Sequence, residues 1–198
     1  DGKMKGMIMA GMAGLCLILG IMGALGNTWL VPDEEMDEGM DAGAGLTSSW
    51  AEMDMEDAET CDMMLSMMED EGDAECDGSM LTMTMSFSDS CDDGDDEACD
   101  MATGGLIGTI GMWAGIVCAL MVTLTLVLPM AGVDAMDAVP EMGNKIATWG
   151  AGALMLVGML GWYFMLPDGG EMSLGMSGWM AGAAMSTGLG SALIGQFI

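Results

Sequence analysis

Two hydrophobic patterns alternate along the chain. Residues 6–32, 101–133, 146–167 and 172–198 carry no charged side chain, and each run is long enough to cross a hydrocarbon core of about 30 Å as a helix. Between the first two runs the period changes. Over residues 81–88, Leu81, Met83, Met85 and Phe87 alternate with Thr82, Thr84, Ser86 and Ser88, the pattern of a half-buried strand. Over 51–56, Ala51, Met53 and Met55 alternate with Glu52, Asp54 and Glu56, with Trp50 just upstream. The expected layout is a helix over 6–31, an acidic loop over 32–104, and a second helix over 105–129. A linker over 130–145 leads to a third helix over 146–166, and a short loop over 167–173 leads to a fourth over 174–198. The fold class that follows is an all-α four-helix membrane bundle with a small disulfide-stapled extracellular β-sheet in the first loop.

Charge sharpens this division. The net charge is −28, and residues 32–100 hold 25 of the 31 Asp and Glu with no Lys or Arg. By composition alone such a segment is disordered, so the two strand patterns need a staple. Cys61, Cys76, Cys91 and Cys99 supply one, because an even number of cysteines in a poorly cored segment reads as a disulfide framework. Of the three possible pairings, Cys61 with Cys76 and Cys91 with Cys99 is favoured; free thiols or a thiolate metal site are the alternatives. Closing a loop of about 15 residues contributes roughly 3 kcal/mol in the chain-entropy model. Cys16 and Cys118 fall within apolar runs and are expected to be buried free thiols. Disulfides persist outside the cell. With alternating spans, Lys3, Lys5 and Lys145 share the opposite side, which the positive-inside rule makes cytoplasmic. Both termini are then cytoplasmic and the protein is a multi-pass plasma-membrane protein. A cleavable signal peptide ending near Ala24-Leu25-Gly26 is the rival for the first run, but an apolar stretch of about 20 residues exceeds a usual signal core of about 7–15.

The acidity disfavours nucleic acid and anionic headgroups as partners and leaves cations, basic proteins or salty water. Catalysis has no foothold: the chain contains no His and no Arg, and no Ser or Cys stands beside a plausible base. Residues 89–100 read D-S-C-D-D-G-D-D-E-A-C-D, which puts Gly94 sixth and Asp89, Asp93, Asp95, Glu97 and Asp100 at spacings resembling an EF-hand loop. Cys91 and the short Asp100 depart from that grammar, so a solvated acid run is the simpler reading and a weak divalent-cation site the alternative. Beyond that cation no cofactor is expected. Methionine is abundant, 29 residues. Thioethers select Cu(I), yet the same density inside the apolar runs points to a chain-wide usage bias. In the fourth run Gly178, Gly182, Ser186 and Gly190 recur every four residues, a spacing that lets helix backbones meet inside lipid. Gly104 with Gly108 and Gly111 with Gly115 offer shorter stripes in the second. Trp29, Trp162, Tyr163 and Trp179 are expected to form one aromatic belt.

Trp29, then Gly45-Leu46 with Trp50 four residues on, then Cys61 and Cys76 follow the order of a known loop signature. The layout resembles the claudin and peripheral-myelin-protein superfamily, whose first extracellular loop carries a Trp, a Gly-Leu-Trp and two cysteines. That resemblance implies a left-handed four-helix bundle under a small extracellular sheet. It also implies work by lateral or intercellular association, as an adhesion, barrier or channel-accessory protein whose partners are membrane lipid, itself or another membrane protein. An extracellular cation-binding membrane protein, taking Ca or Cu through the loop acids or methionines, is the alternative function.

Overall fold

The uncharged runs form helices whose length follows from apolar continuity and whose ends follow from local capping. In the structure, a computed structural model describing residues 2–34, 36–68, 73–133, 139–167 and 172–197, the four long helices are α1 (Gly2–Leu25), α4 (Asp96–Met130), α5 (Glu141–Phe164) and α6 (Met176–Phe197). The first three are long and apolar enough to cross a membrane. The fourth is uncharged but built largely from Gly, Ala, Ser and Thr. Each helix packs on two others, α1 on α4 and α6, α5 on α4 and α6, closing a ring. Sequence neighbours run in opposite directions. Lys5 near the start of α1 donates to the carbonyl of Gly195 near the end of α6 at 3.2 Å, and Thr125 late in α4 lies 3.3 Å from Asn144 early in α5.

At the other end stands one antiparallel sheet of six strands, in the order β4-β5-β3-β2-β1-β6. Its members are β1 (Leu30–Pro32), β2 (Met40–Ala44), β3 (Ser48–Asp54), β4 (Asp73–Asp77), β5 (Met80–Ser86) and β6 (Met172–Leu174). The two alternating stretches do pair, with Ala51 opposite Met83 and Met53 opposite Leu81. The sheet is larger than the sequence implied, and its last strand comes from the α5–α6 connection, where Val31 faces Ser173. The short loop expected over 167–173 is therefore partly strand, and residues 168–171 lie outside the described residues, as do 134–138 of the linker over 130–145. Alternation does not continue to Ser88: at Phe87 the chain turns into α3 (Phe87–Asp92), because the Phe87 ring is buried and its N–H donates to Thr47 O rather than to a strand partner.

Helix boundaries also move. Residues 26–31 leave the first helix, which ends at Leu25; Trp29 N–H donates to Ala44 O at 2.8 Å and so starts the sheet. The second expected helix begins nine residues earlier, at Asp96, where the Asp95 carboxylate caps the N–H groups of Glu97 and Ala98; acid at a helix start is favoured by cap and dipole alike. At 35 residues α4 is about 52 Å long at about 1.5 Å per residue, some 20 Å more than a hydrocarbon core. Its first turns therefore belong with the sheet. There Cys99 is bridged to Cys91 of α3, while Cys61 of α2 (Ala58–Met67) is bridged to Cys76 of β4. Both bridges join the cysteines that loop length pairs most locally.

Candidate functional site

Residues directly opposite in an antiparallel ladder share a face, so the register sorts the sheet into two surfaces. One carries Cys76, Leu81, Met53 and Met40 across one end of the strands, Met83, Ala51 and Ala42 across the middle, and Met85, Ser49, Ala44 and Leu30 across the other. The opposite surface carries Asp73, Glu75, Asp77, Glu52, Asp54 and Asp41 with the hydroxyls of Thr82, Thr84 and Ser48. The apolar surface is covered at two places only. Helix α2 lies over β4 and β5, where Leu81 and Cys61 are fully buried. At the far side Leu30 and Ala44 are buried within the same cluster as the helix residues Met112, Met155 and Ala181. Met40 is 41% and Met85 54% exposed, at diagonally opposite corners of this surface, and Met53 and Met83 between them are half-buried. The candidate site is this partly covered methionine face on an otherwise acidic domain.

Sheet and helices are locked together by the loop-signature residues. Trp29 is fully buried, donates Nε1–H to Gly23 O at 2.9 Å, and meets Trp162 edge-on at 5.0 Å. Leu46, at the β2–β3 turn, is buried; a Cβ on Gly108 of α4 would stand 3.0 Å from its side chain. Gly45 is buried beneath that turn and its N–H donates to Ser48 O. Trp50 donates to Asn27 O at 2.9 Å, and its ring lies against Gly43. On the other strand edge Gly175 and Ser177 donate to Trp29 O and Thr28 O. Trp29, Gly45, Leu46 and Trp50 thus act together as a clamp on the helix ends, not as an exposed recognition surface. The aromatic belt is corrected with them: Trp29 and Trp162 are core, whereas Tyr163 and Trp179 are about two-thirds exposed.

The other candidates part company. The stretch 89–100 forms helix, turn and helix, with Gly94 at φ 97° making the turn that the Cys91–Cys99 bridge closes. Asp89 lies in the first turn of α3 and Asp93 at its C-cap, Glu97 and Asp100 fall at the start of α4, and the Asp95 carboxylate is occupied as a cap. Among the described residues no three His, Cys, Asp or Glu side chains converge where a metal could be held. The α6 stripe splits as well: Gly178 is buried against Leu174 and Trp29, Gly190 approaches Met12, Gly182 has only Met159 nearby, and Ser186 is exposed. Close helix contacts form instead between α4 and α5, where a Cβ on Gly158 would stand 2.9 Å from Gly111 Cα and one on Gly115 2.8 Å from Ala151 O, and between α5 and α6, where a Cβ on Gly188 would stand 2.9 Å from Gly152 N. Cys16 is buried, and it and Cys118 are free.

The helix surface turned outward is apolar and self-satisfied. Ile8, Leu15, Ile18, Ile110, Val117, Val157 and Leu193 are exposed. Hydroxyls within the helices bond back to their own chain, as Thr123 to Ala119 O at 2.7 Å and Ser186 to Gly182 O at 2.8 Å, so they demand no water. No protein-family model matches the chain, and no curated protein is significantly similar to it.

Proposed function

We propose that this chain is a four-span plasma-membrane protein of claudin-like layout, with α6 as the fourth span, the sheet outside and the lysine end in the cytoplasm. It works by association with another membrane protein, in an adhesion, barrier or channel-accessory role. The observation that carries this reading is the half-covered apolar face of the sheet. A methionine surface adapts to irregular partners, and Met40 and Met85 leave two corners of this face open to one. The β4 edge is a poor candidate by comparison: it carries Asp73, Glu75 and Asp77, and charged edges deter strand pairing. The surrounding carboxylates repel an identical domain, so the favoured partner presents basic and apolar groups, and self-association is left to the outward face of α6 at Gly182 and Ser186.

Cross-linking in native membranes tests this by comparing wild type with Met85→Glu and Gly182→Leu. Met85→Glu is expected to remove adducts formed through the sheet, and Gly182→Leu those formed within lipid. A cross-linking pattern identical in all three proteins at low and high salt contradicts the association reading.

A further inference from the structure

The lysine end holds a second feature. Between α5, the end of α6 and Met9 of α1 lies an open cleft of about 560 Å³. Its lining combines polar Lys145, Asn144, Glu141 and Gln196 with apolar Met9 and Trp149. Among the described residues Lys145 pairs with Glu141, at 3.0 Å and largely in solvent, and such an exposed i,i+4 pair is weak. The ammonium of Lys5 is fixed at the same end by its bond to Gly195 O, and Gly195 itself lines the cleft. One helical turn separates Lys145 from Trp149, which is 38% exposed; a cation and an amphipathic ring one turn apart suit the headgroup boundary of a bilayer.

We infer that this cleft seats the phosphodiester of a glycerophospholipid from the cytoplasmic leaflet, with the phosphate on Lys145 and the first acyl carbons along Trp149 and Met9. Lys145 exchanges a weak carboxylate pair for a phosphate, and Asn144 and Gln196 add neutral amide donors at the rim. A lysine at a cleft between spans on the cytoplasmic side is suited to such a headgroup. Most of the chain's charge of −28 is carried by residues 32–100, whose described strands and helices stand at the opposite helix ends, the ~30 Å of a hydrocarbon core away, where a Debye length of about 10 Å screens them. Glu141 is the carboxylate that lines the cleft, and Asp1, Asp134 and Asp137 fall on the same side in sequence order. The lipid competes with Glu141 for Lys145, so neutralising Lys145 and neutralising Glu141 have opposite effects on binding.

The inference rests on the membrane reading above. The test is native mass spectrometry of the full chain released from micelles, titrated with dioleoylphosphatidylglycerol. One saturable lipid adduct is expected, about tenfold weaker in Lys145→Gln, as for loss of one charge-assisted hydrogen bond, and tighter in Glu141→Gln. Lys3→Gln removes the same charge outside the cleft and should leave binding unchanged. Equal losses in Lys3→Gln and Lys145→Gln, or no change in either, overturn the assignment; displacement of the adduct by millimolar inorganic phosphate reassigns the cleft to a soluble phosphate and overturns the lipid source. Carbonate extraction of the chain from membranes is run alongside. Release by carbonate defeats the membrane reading itself, whereas retention without a selective adduct defeats the cleft alone.

Discussion

Trp29 illustrates what one residue contributes and why sequence placed it differently. A tryptophan just past an apolar helix is equally consistent with an interfacial ring and with a core ring. What decides is that its backbone begins β1 while its indole N–H has an acceptor inside the fold, Gly23 O. Trp29→Ala should cost about 3–5 kcal/mol, the range for losing a buried aromatic, and Trp29→Phe about 1 kcal/mol for the hydrogen bond; thermal unfolding in detergent with both variants measures this. Asp57 makes the same point at the surface. Its carboxylate caps α2, accepting from Thr60 N–H at 2.7 Å, and that backbone bond is the main reason its pKa is lowered from 3.8. A lowered folded pKa means the contribution is complete above the unfolded value and disappears as pH falls through the folded one. Hydrogen-exchange protection in α2, taken relative to the intrinsic rate at each pH, should therefore fall on acidification below about pH 4, near the unperturbed Asp value, and Asp57→Ala should abolish that dependence. An unchanged acid response in Asp57→Ala would refute the cap.

At the scale of elements, sequence spacing located the glycines but could not say which of them meet. Four residues turn an α-helix by about 400°, so a four-spaced row drifts about 40° per step. Three steps carry the row from Gly178, which faces inward, round to Gly190 at another neighbour, with exposed Ser186 between. In α4 the mixed spacing of Gly104, Gly108, Gly111 and Gly115 holds to one side, and it is this row that α5 approaches at Trp162, Gly158 and Ala151. Gly111→Val should destabilise the helices by roughly 1–3 kcal/mol or more through overpacking, with Gly182→Val nearly silent in the same unfolding assay; equal effects would contradict the assignment. The strands divide likewise. Strands β3 and β5 were legible from alternation of large residues. By contrast β2, with Met-Asp-Ala-Gly-Ala, and β4, with Asp-Ala-Glu-Cys-Asp, lack β-branched and aromatic side chains. Pairing and the Cys61–Cys76 bridge hold them, and single-strand propensity does not report either.

For the whole molecule, the separation of charge along the helix axis was fully legible, because it is a property of sequence order and alternating helices. The domain beyond the helix ends carries most of the acids and no basic side chain, so its repulsion should be relieved by salt. Its unfolding temperature should rise with sodium chloride, and millimolar calcium should add nothing beyond its ionic strength, since the acids of 89–100 are dispersed over two helix ends; a calcium-specific increase would restore the cation site. The central claim, that the sheet lies outside the cell and the opposite helix ends inside, is tested most directly through the three lysines, which are all the lysines the chain has. A membrane-impermeant amine reagent applied to intact cells should modify none of Lys3, Lys5 and Lys145, and after permeabilisation it should modify Lys145, whose side chain is 73% exposed. Labelling of Lys145 in intact cells would contradict the account.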